Sequence, residues 1–187
     1  MKYILASASP RRQELLKYIV NDFDISPADI DETIPDCVSS QDAAEFLAVK
    51  KAAHVAKQYP NSVVIGCDTV VIINDMILGK PHDKHEAEKM LNLLSGRTHN
   101  VITGVCFFKN GVSRSFSEIT SVTFYSLSQS DIDNYITTKD PFDKAGGYGI
   151  QGVGSVLVKG IIGDFFNVVG LPVARLKREL NEFIQNI

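Results

Sequence analysis

An aspartate interrupts the most apolar stretch of this 187-residue chain: Asp68 lies between Val63-Val64-Ile65-Gly66-Cys67 and Val70-Val71-Ile72-Ile73. An unpaired carboxylate in such surroundings is expensive, so Asp68 is expected to be paired with cations or a metal ion and to have a functional role. Candidate cations lie elsewhere in the chain. Lys51 falls in the apolar stripe of a helical segment, where a lysine either snorkels to the rim or points at a buried anion; it is read as functional, and its neighbour Lys50 as ordinary surface. Arg11 and Arg12 follow Ala6-Ser7-Ala8-Ser9-Pro10 in the first turn of a helix, where the macrodipole favours anions over cations. Two guanidinium groups there fit a bound phosphate or carboxylate, or they are solvated arginines of a surface helix; the stretch alone leaves both open. Lys80 sits in a loop between Gly79 and Pro81, and Asp31 and Glu32 lie in a polar connector, where acids are normally just solvated. Together these residues are the inventory for holding a polyphosphate with a divalent ion: cations neutralise phosphate oxygens, while carboxylates hold the metal and activate water.

The elements that position them alternate. Tyr3 to Leu5 reads as a strand leading to a helix capped by Ser9, with Pro10 at its first position and Leu15, Leu16, Ile19 and Val20 on its buried face. A short strand at 23–26, the connector 27–41 and a long helix over about 41–59 follow. Residues 62–67 form a strand ending at Asp68-Thr69, before a second run at 70–73. Asn74-Asp75 and Asn110-Gly111 are hairpin signals, the second joining strands at 101–108 and 112–125. Asp83 and Glu86 resemble a capping box for a helix buried through Ala87, Met90, Leu91 and Leu94 and ended by Gly96. After a helix near 131–138 comes the glycine-rich segment from Asp140 to Gly152, which allows tight turns and close backbone approach to a ligand. It matches neither the P-loop nor the dinucleotide fingerprint. Strands are expected at 155–159 and 164–169, then a final helix carrying Val173, Leu176, Leu180 and Phe183. The class is α/β with a mixed sheet, read as a single domain over 1–187.

Composition narrows the function. A net charge of −3 argues against a general nucleic-acid binder. Three widely spaced cysteines without a Cys-x-x-Cys pair argue against a disulfide framework or a zinc site, and fit a reducing compartment. No apolar run approaches the ~18 residues of a membrane helix. A soluble, cytoplasmic protein is expected.

Leu5-Ala6-Ser7-Ala8-Ser9-Pro10-Arg11-Arg12-Gln13-Glu14-Leu15-Leu16 resembles the opening motif of the Maf family, nucleoside triphosphate pyrophosphatases also called septum formation inhibitors. Further matches follow in the family's order: Asp31-Glu32, Lys51-Ala52, Gly66 to Val71, Gly79-Lys80-Pro81, Leu94 to His99, Thr103-Gly104-Val105, Asp143 to Gly152 and Asn167 to Pro172. The resemblance implies hydrolysis between the α and β phosphorus atoms of a nucleoside triphosphate with Mg²⁺ or Mn²⁺. It implies Asp68 as the base that activates water, Glu32 as a holder of metal together with Asp68, and Arg11, Arg12, Lys51 and Lys80 on the phosphates, supported by Ser7 and Ser9. The branch acting on dTTP and UTP is similar at Arg12, Thr69 and Gln151, and a glutamine amide suits a pyrimidine edge. Also implied are the elongated fold of inosine triphosphatases, with two lobes around a central cleft, and a homodimer. The alternative is a regulator of cell division that binds a nucleotide or a partner without turnover. Arg97 and Lys144 are open between site residues and structural ion pairs.

Overall fold

The computed structural model describes residues 1–187. The chain is α/β, with β1 (Tyr3–Leu5), α1 (Pro10–Leu16), β2 (Asp24–Ile25), α2 (Ala43–Ala56), β3 (Val63–Ile73), β4 (Met76–Leu78), α3 (Lys84–Leu94), β5 (Thr98–Lys109), β6 (Val112–Phe124), α4 (Gln129–Thr137), β7 (Val158–Ile162), α5 (Phe165–Val169) and α6 (Val173–Gln185). The strand order is β2-β1-β3-β5-β6-β7, with β4 beside β3, and the sheet is mixed as expected. Two compact units are built from this chain. The first takes 1–69, 103–118 and 170–187; the second takes 70–102 and 119–169.

In the first unit β1 lies parallel to both β2 and β3, with Ile4 opposite Asp24 and Val64. Helix α2 buries Ala44, Leu47, Ala48, Ala52 and Val55. Two glycines let it lie directly on the strands. A Cβ at Gly66 would collide with the Ala48 carbonyl oxygen and come within 2.8 Å of the Ala52 nitrogen, and one at Gly104 would strike the Ala44 carbonyl. Gly66 and Asp68 share one face of β3, because side chains alternate along a strand, while Ala48, Lys51 and Ala52 share one face of α2. The close seat at Gly66 therefore aims Lys51 at Asp68. β3 is one unbroken strand through Asp68-Thr69 rather than two runs, since its β-branched residues continue on both sides and the carboxylate is met by a cation. Helix α1 ends at Leu16, so Ile19 and Val20 lie in the closing turns instead of on its face, their amides donating to the Leu16 carbonyl.

In the second unit the end of β3 turns through Asn74-Asp75, both at positive φ (49° and 62°), into β4. Its core includes Val71, Ile73, Leu91, Leu94, Val122, Phe124, Ile132 and Tyr148. Asp83 caps α3, but Glu86 reaches back to the amide of His82 rather than completing the box; the full reciprocal box is Ser128 with Asp131 on α4. Residues 152–157 form 3₁₀ turns where a strand was expected, and β7 begins only at Val158. Gly152 at φ 64° and Gly154, which has no room for a Cβ beside the Gly149 carbonyl, wind that segment tightly. Residues 165–169 are helical rather than extended, despite their apolar run: Asp164 caps the turn by accepting from the Phe166 amide at 2.8 Å, a local bond that competes with strand pairing. No helix is long and apolar enough to cross a membrane.

Candidate active site

The centre of the first unit is a three-residue ionic array. Lys51, 8% exposed, places Nζ 2.5 Å from Asp68 Oδ1 and 2.8 Å from Glu32 Oε1. Asp68 is equally buried, whereas the Glu32 side chain is more than half exposed, so the connector brings a solvent-facing carboxylate to a buried pair. The connector itself is anchored. Lys50, read from sequence as free surface, donates to the Asp31 carbonyl, and the Asp31 carboxylate accepts from the Thr33 amide and hydroxyl. Those bonds hold the Asp31 carboxyl below its ordinary range. Asp31 is thus structural, and its neighbour Glu32 is the acid aimed at the array.

Ser7, Ser9, Arg12 and Thr69 also come together. Ser9 caps α1, its Oγ accepting from the Arg12 amide, and Ser7 Oγ accepts from the Ser9 amide. The Arg12 guanidinium donates through Nε to the Gly170 carbonyl (3.0 Å), through Nη1 to Ser7 Oγ (3.2 Å) and the Cys67 carbonyl (2.9 Å), and through Nη2 to Thr69 Oγ1 (2.9 Å). Four of a guanidinium's five N–H groups are thereby engaged. The arginine that seemed misplaced at a helix start is accommodated by carbonyl dipoles and hydroxyls of the protein itself. Thr103, not singled out from sequence except within its motif, joins through a 2.9 Å bond to Thr69. Arg11 is half-buried in the same first turn. Burial pushes the Cys67 thiol up to about 11, so it stays protonated and is no nucleophile near neutral pH.

The second unit holds Lys80 and Gln151. Both are exposed, and neither side chain bonds within the protein. Their loops are tied to each other by the Gly146 amide donating to the Gly79 carbonyl at 2.9 Å. Lys144 is spoken for: its Nζ binds the Asp140 carboxylate (2.8 Å) and carbonyl and the Asp143 carboxylate (2.6 Å), which settles it as a structural ion pair. Arg97 keeps an exposed side chain, and its backbone carbonyl accepts from the Phe124 amide. His99, which the sequence offers only as the end of the Leu94 to His99 match, is 2% exposed with Nε2 2.7 Å from the Tyr148 hydroxyl and Nδ1 without a partner. Burial lowers its pKa to about 4.

Residues 2–183 match the Maf-like protein family. The chain belongs to the Maf family. It is 50% identical over 182 residues to a dTTP/UTP pyrophosphatase of Bacillus cytotoxicus, covering 97% of this chain and 95% of that one. It is 48% identical over 186 residues to a dTTP/UTP pyrophosphatase of Bacillus mycoides, covering 100% and 97%. Among solved structures, a HAM1 protein from Coxiella burnetii superposes with a TM-score of 0.59 at 14% identity over the whole of both chains. The Staphylococcus aureus Ham1 protein gives 0.50 at 17% identity, covering 84% and 80%. At such identities the likeness is one of fold, and it is the inosine-triphosphatase-like fold that the family resemblance implied.

Proposed function

We propose that this chain hydrolyses dTTP and UTP to the nucleoside monophosphate and pyrophosphate. The observation that carries the reading is the buried Asp68 carboxylate gripped by Lys51, in a chain half identical to relatives named for that reaction. Water attacks the α-phosphorus, the bond from that phosphorus to the α–β bridging oxygen breaks, and pyrophosphate leaves with the electron pair. Asp68 takes the water's proton; with Oδ1 occupied by Lys51, its Oδ2 is the oxygen available for it. Lys51 donates one N–H to Asp68 and pairs ionically with Glu32, which leaves donor capacity on its ammonium for a phosphate oxygen. Arg11 and Lys80 offset charge on the phosphates, Arg12 with Ser7, Ser9 and Thr69 keeps the approach rigid, and Gln151 meets the pyrimidine edge.

Glu32 and Asp68 fit a divalent cation, since two hard oxygen donors already converge on one positive charge, and Mg²⁺ or Mn²⁺ takes one or two carboxylates and completes its shell with water and phosphate. When bound, the ion neutralises phosphate oxygens as negative charge builds on the leaving group. A cytoplasmic location and a homodimer belong to the same proposal.

The experiment is a panel of nucleoside triphosphates with Mg²⁺ or Mn²⁺, with both products identified. Pyrophosphate and monophosphate, formed fastest from dTTP and UTP, are expected. Release of inorganic phosphate instead, or an Asp68→Asn variant as fast as the parent, overturns the mechanism.

A further inference from the structure

A glutamine amide can present either a donor or an acceptor simply by turning over, so Gln151 alone cannot tell a uracil edge from a cytosine edge. Selection requires that its backbone be held still and that the amide have one productive orientation. Gln151 is exposed and its side chain makes no bond within the protein, so it is fixed through its chain neighbours: the tightly wound turns that follow it and the residues that precede it. Those residues are fastened one after another. The Gly146 amide donates to the Gly79 carbonyl, the Tyr148 hydroxyl meets His99 Nε2 at 2.7 Å, and the Gly149 amide donates to the Tyr135 hydroxyl at 3.1 Å. Tyr135 in turn donates to the Asp140 carboxylate at 2.7 Å, which Lys144 also binds.

The His99–Tyr148 bond is the odd member of this series. Packing alone would be served by Phe at 148, because the ring already meets Phe124 edge-on at 4.7 Å and His99 at 5.3 Å. Both polar groups are nevertheless buried, and His99 carries the further cost of an unpartnered Nδ1. What that arrangement provides, and an apolar pair would not, is direction: one fixed hydroxyl position three residues before Gln151, the side-chain tie nearest to it on a segment whose glycines at 146, 147, 149 and 152 carry no side chain to hold them and whose other ties are bonds of the Gly146, Gly147 and Gly149 amides.

We propose that His99 and Tyr148 are positioning residues for base selection, their buried hydrogen bond fixing the glycine-rich loop so that Gln151 presents its amide in one orientation. The inference rests on the pyrimidine selectivity proposed above. His99 does not touch substrate in this scheme; it acts through Tyr148.

The test uses Tyr148→Phe and the double variant His99→Leu/Tyr148→Phe, assayed with UTP, dTTP and CTP. Tyr148→Phe is expected to raise KM for UTP and dTTP roughly tenfold or more, with kcat changed little, and to shrink the UTP-to-CTP ratio of kcat/KM by a similar factor. Hydrogen exchange of amides 146–152 should quicken. The double variant removes both polar partners and keeps an apolar core, so it should fold stably yet retain the selectivity defect. A double variant that regains parental KM and selectivity, or a Tyr148→Phe variant whose losses track only its folded fraction, overturns the proposal and leaves the pair a packing feature. An unmutated protein that turns over UTP and CTP equally well refutes the pyrimidine reading itself, which is a different outcome.

Discussion

The two units hold their chemistry in opposite ways. In the first, the charged side chains are bound by the protein: Lys51 sits between two carboxylates and Arg12 spends four donors on carbonyls and hydroxyls. In the second, Lys80 and Gln151 present unengaged ends while the loops beneath them are tied by backbone bonds and buried tyrosines. On the mechanism proposed above, the groups that keep one geometry during bond breaking are locked at their functional atoms, and those that meet the ligand are locked one layer below, with their tips unengaged.

Removing a locked functional atom should therefore hurt most. Asp68→Asn keeps the shape but cannot accept a proton, and kcat should fall about a thousandfold with KM little changed, read by pyrophosphate release. An unchanged kcat would mean that the buried pair only holds the fold. The buried tie of the second unit should show next, in stability. His99 is neutral in the fold down to about pH 4 while its unfolded counterpart takes a proton near 6.5. Between those values the unfolded state binds more protons, so the contribution of His99 to stability is complete above about pH 6.5, falls by about 3 kcal/mol as pH drops toward 4, and changes no further below that. Denaturant melts across that window should display the slope, and His99→Leu should flatten it.

Arg12→Lys comes third, because an ammonium cannot reproduce a planar fork that reaches four acceptors. About 2 kcal/mol should be lost in kcat/KM even though the charge is retained, and a variant as active as the parent would recast Arg12 as a simple point charge. Lys80→Ala is smallest. With no internal bond to break, it should raise KM roughly tenfold and leave the melting temperature in place, the clearest contrast with Lys51.

Much of this site was legible because chemistry and local rules conflicted in the sequence. Asp68 inside a β-branched run and Lys51 inside an apolar stripe each demanded a partner, and each proved to be the other's. Arg12 raised the same kind of question, but its answer lay in carbonyls of Cys67 and Gly170, which carry no side-chain signal. Glu32 looked like an ordinary linker acid, since nothing local says that Lys50 anchors that connector. His99 appeared only as the end of a matched motif, with no role, for a related reason: a histidine in a strand pattern gives no hint of a tyrosine 49 residues away. The strand expected at 155–159 is displaced to 158–162 by glycine geometry, and the one expected at 164–169 is replaced by a helix where one aspartate cap outweighs an apolar run.

The seat of α2 on Gly66 has an implication for reading relatives of this chain. A single methyl at position 66 would meet the Ala48 carbonyl and force the helix outward, carrying the Lys51 ammonium off Asp68. Such a chain would keep every charged residue named above and yet have no working centre. Inventories of catalytic side chains would pass it as an enzyme; only the absence of one glycine would mark it as silent.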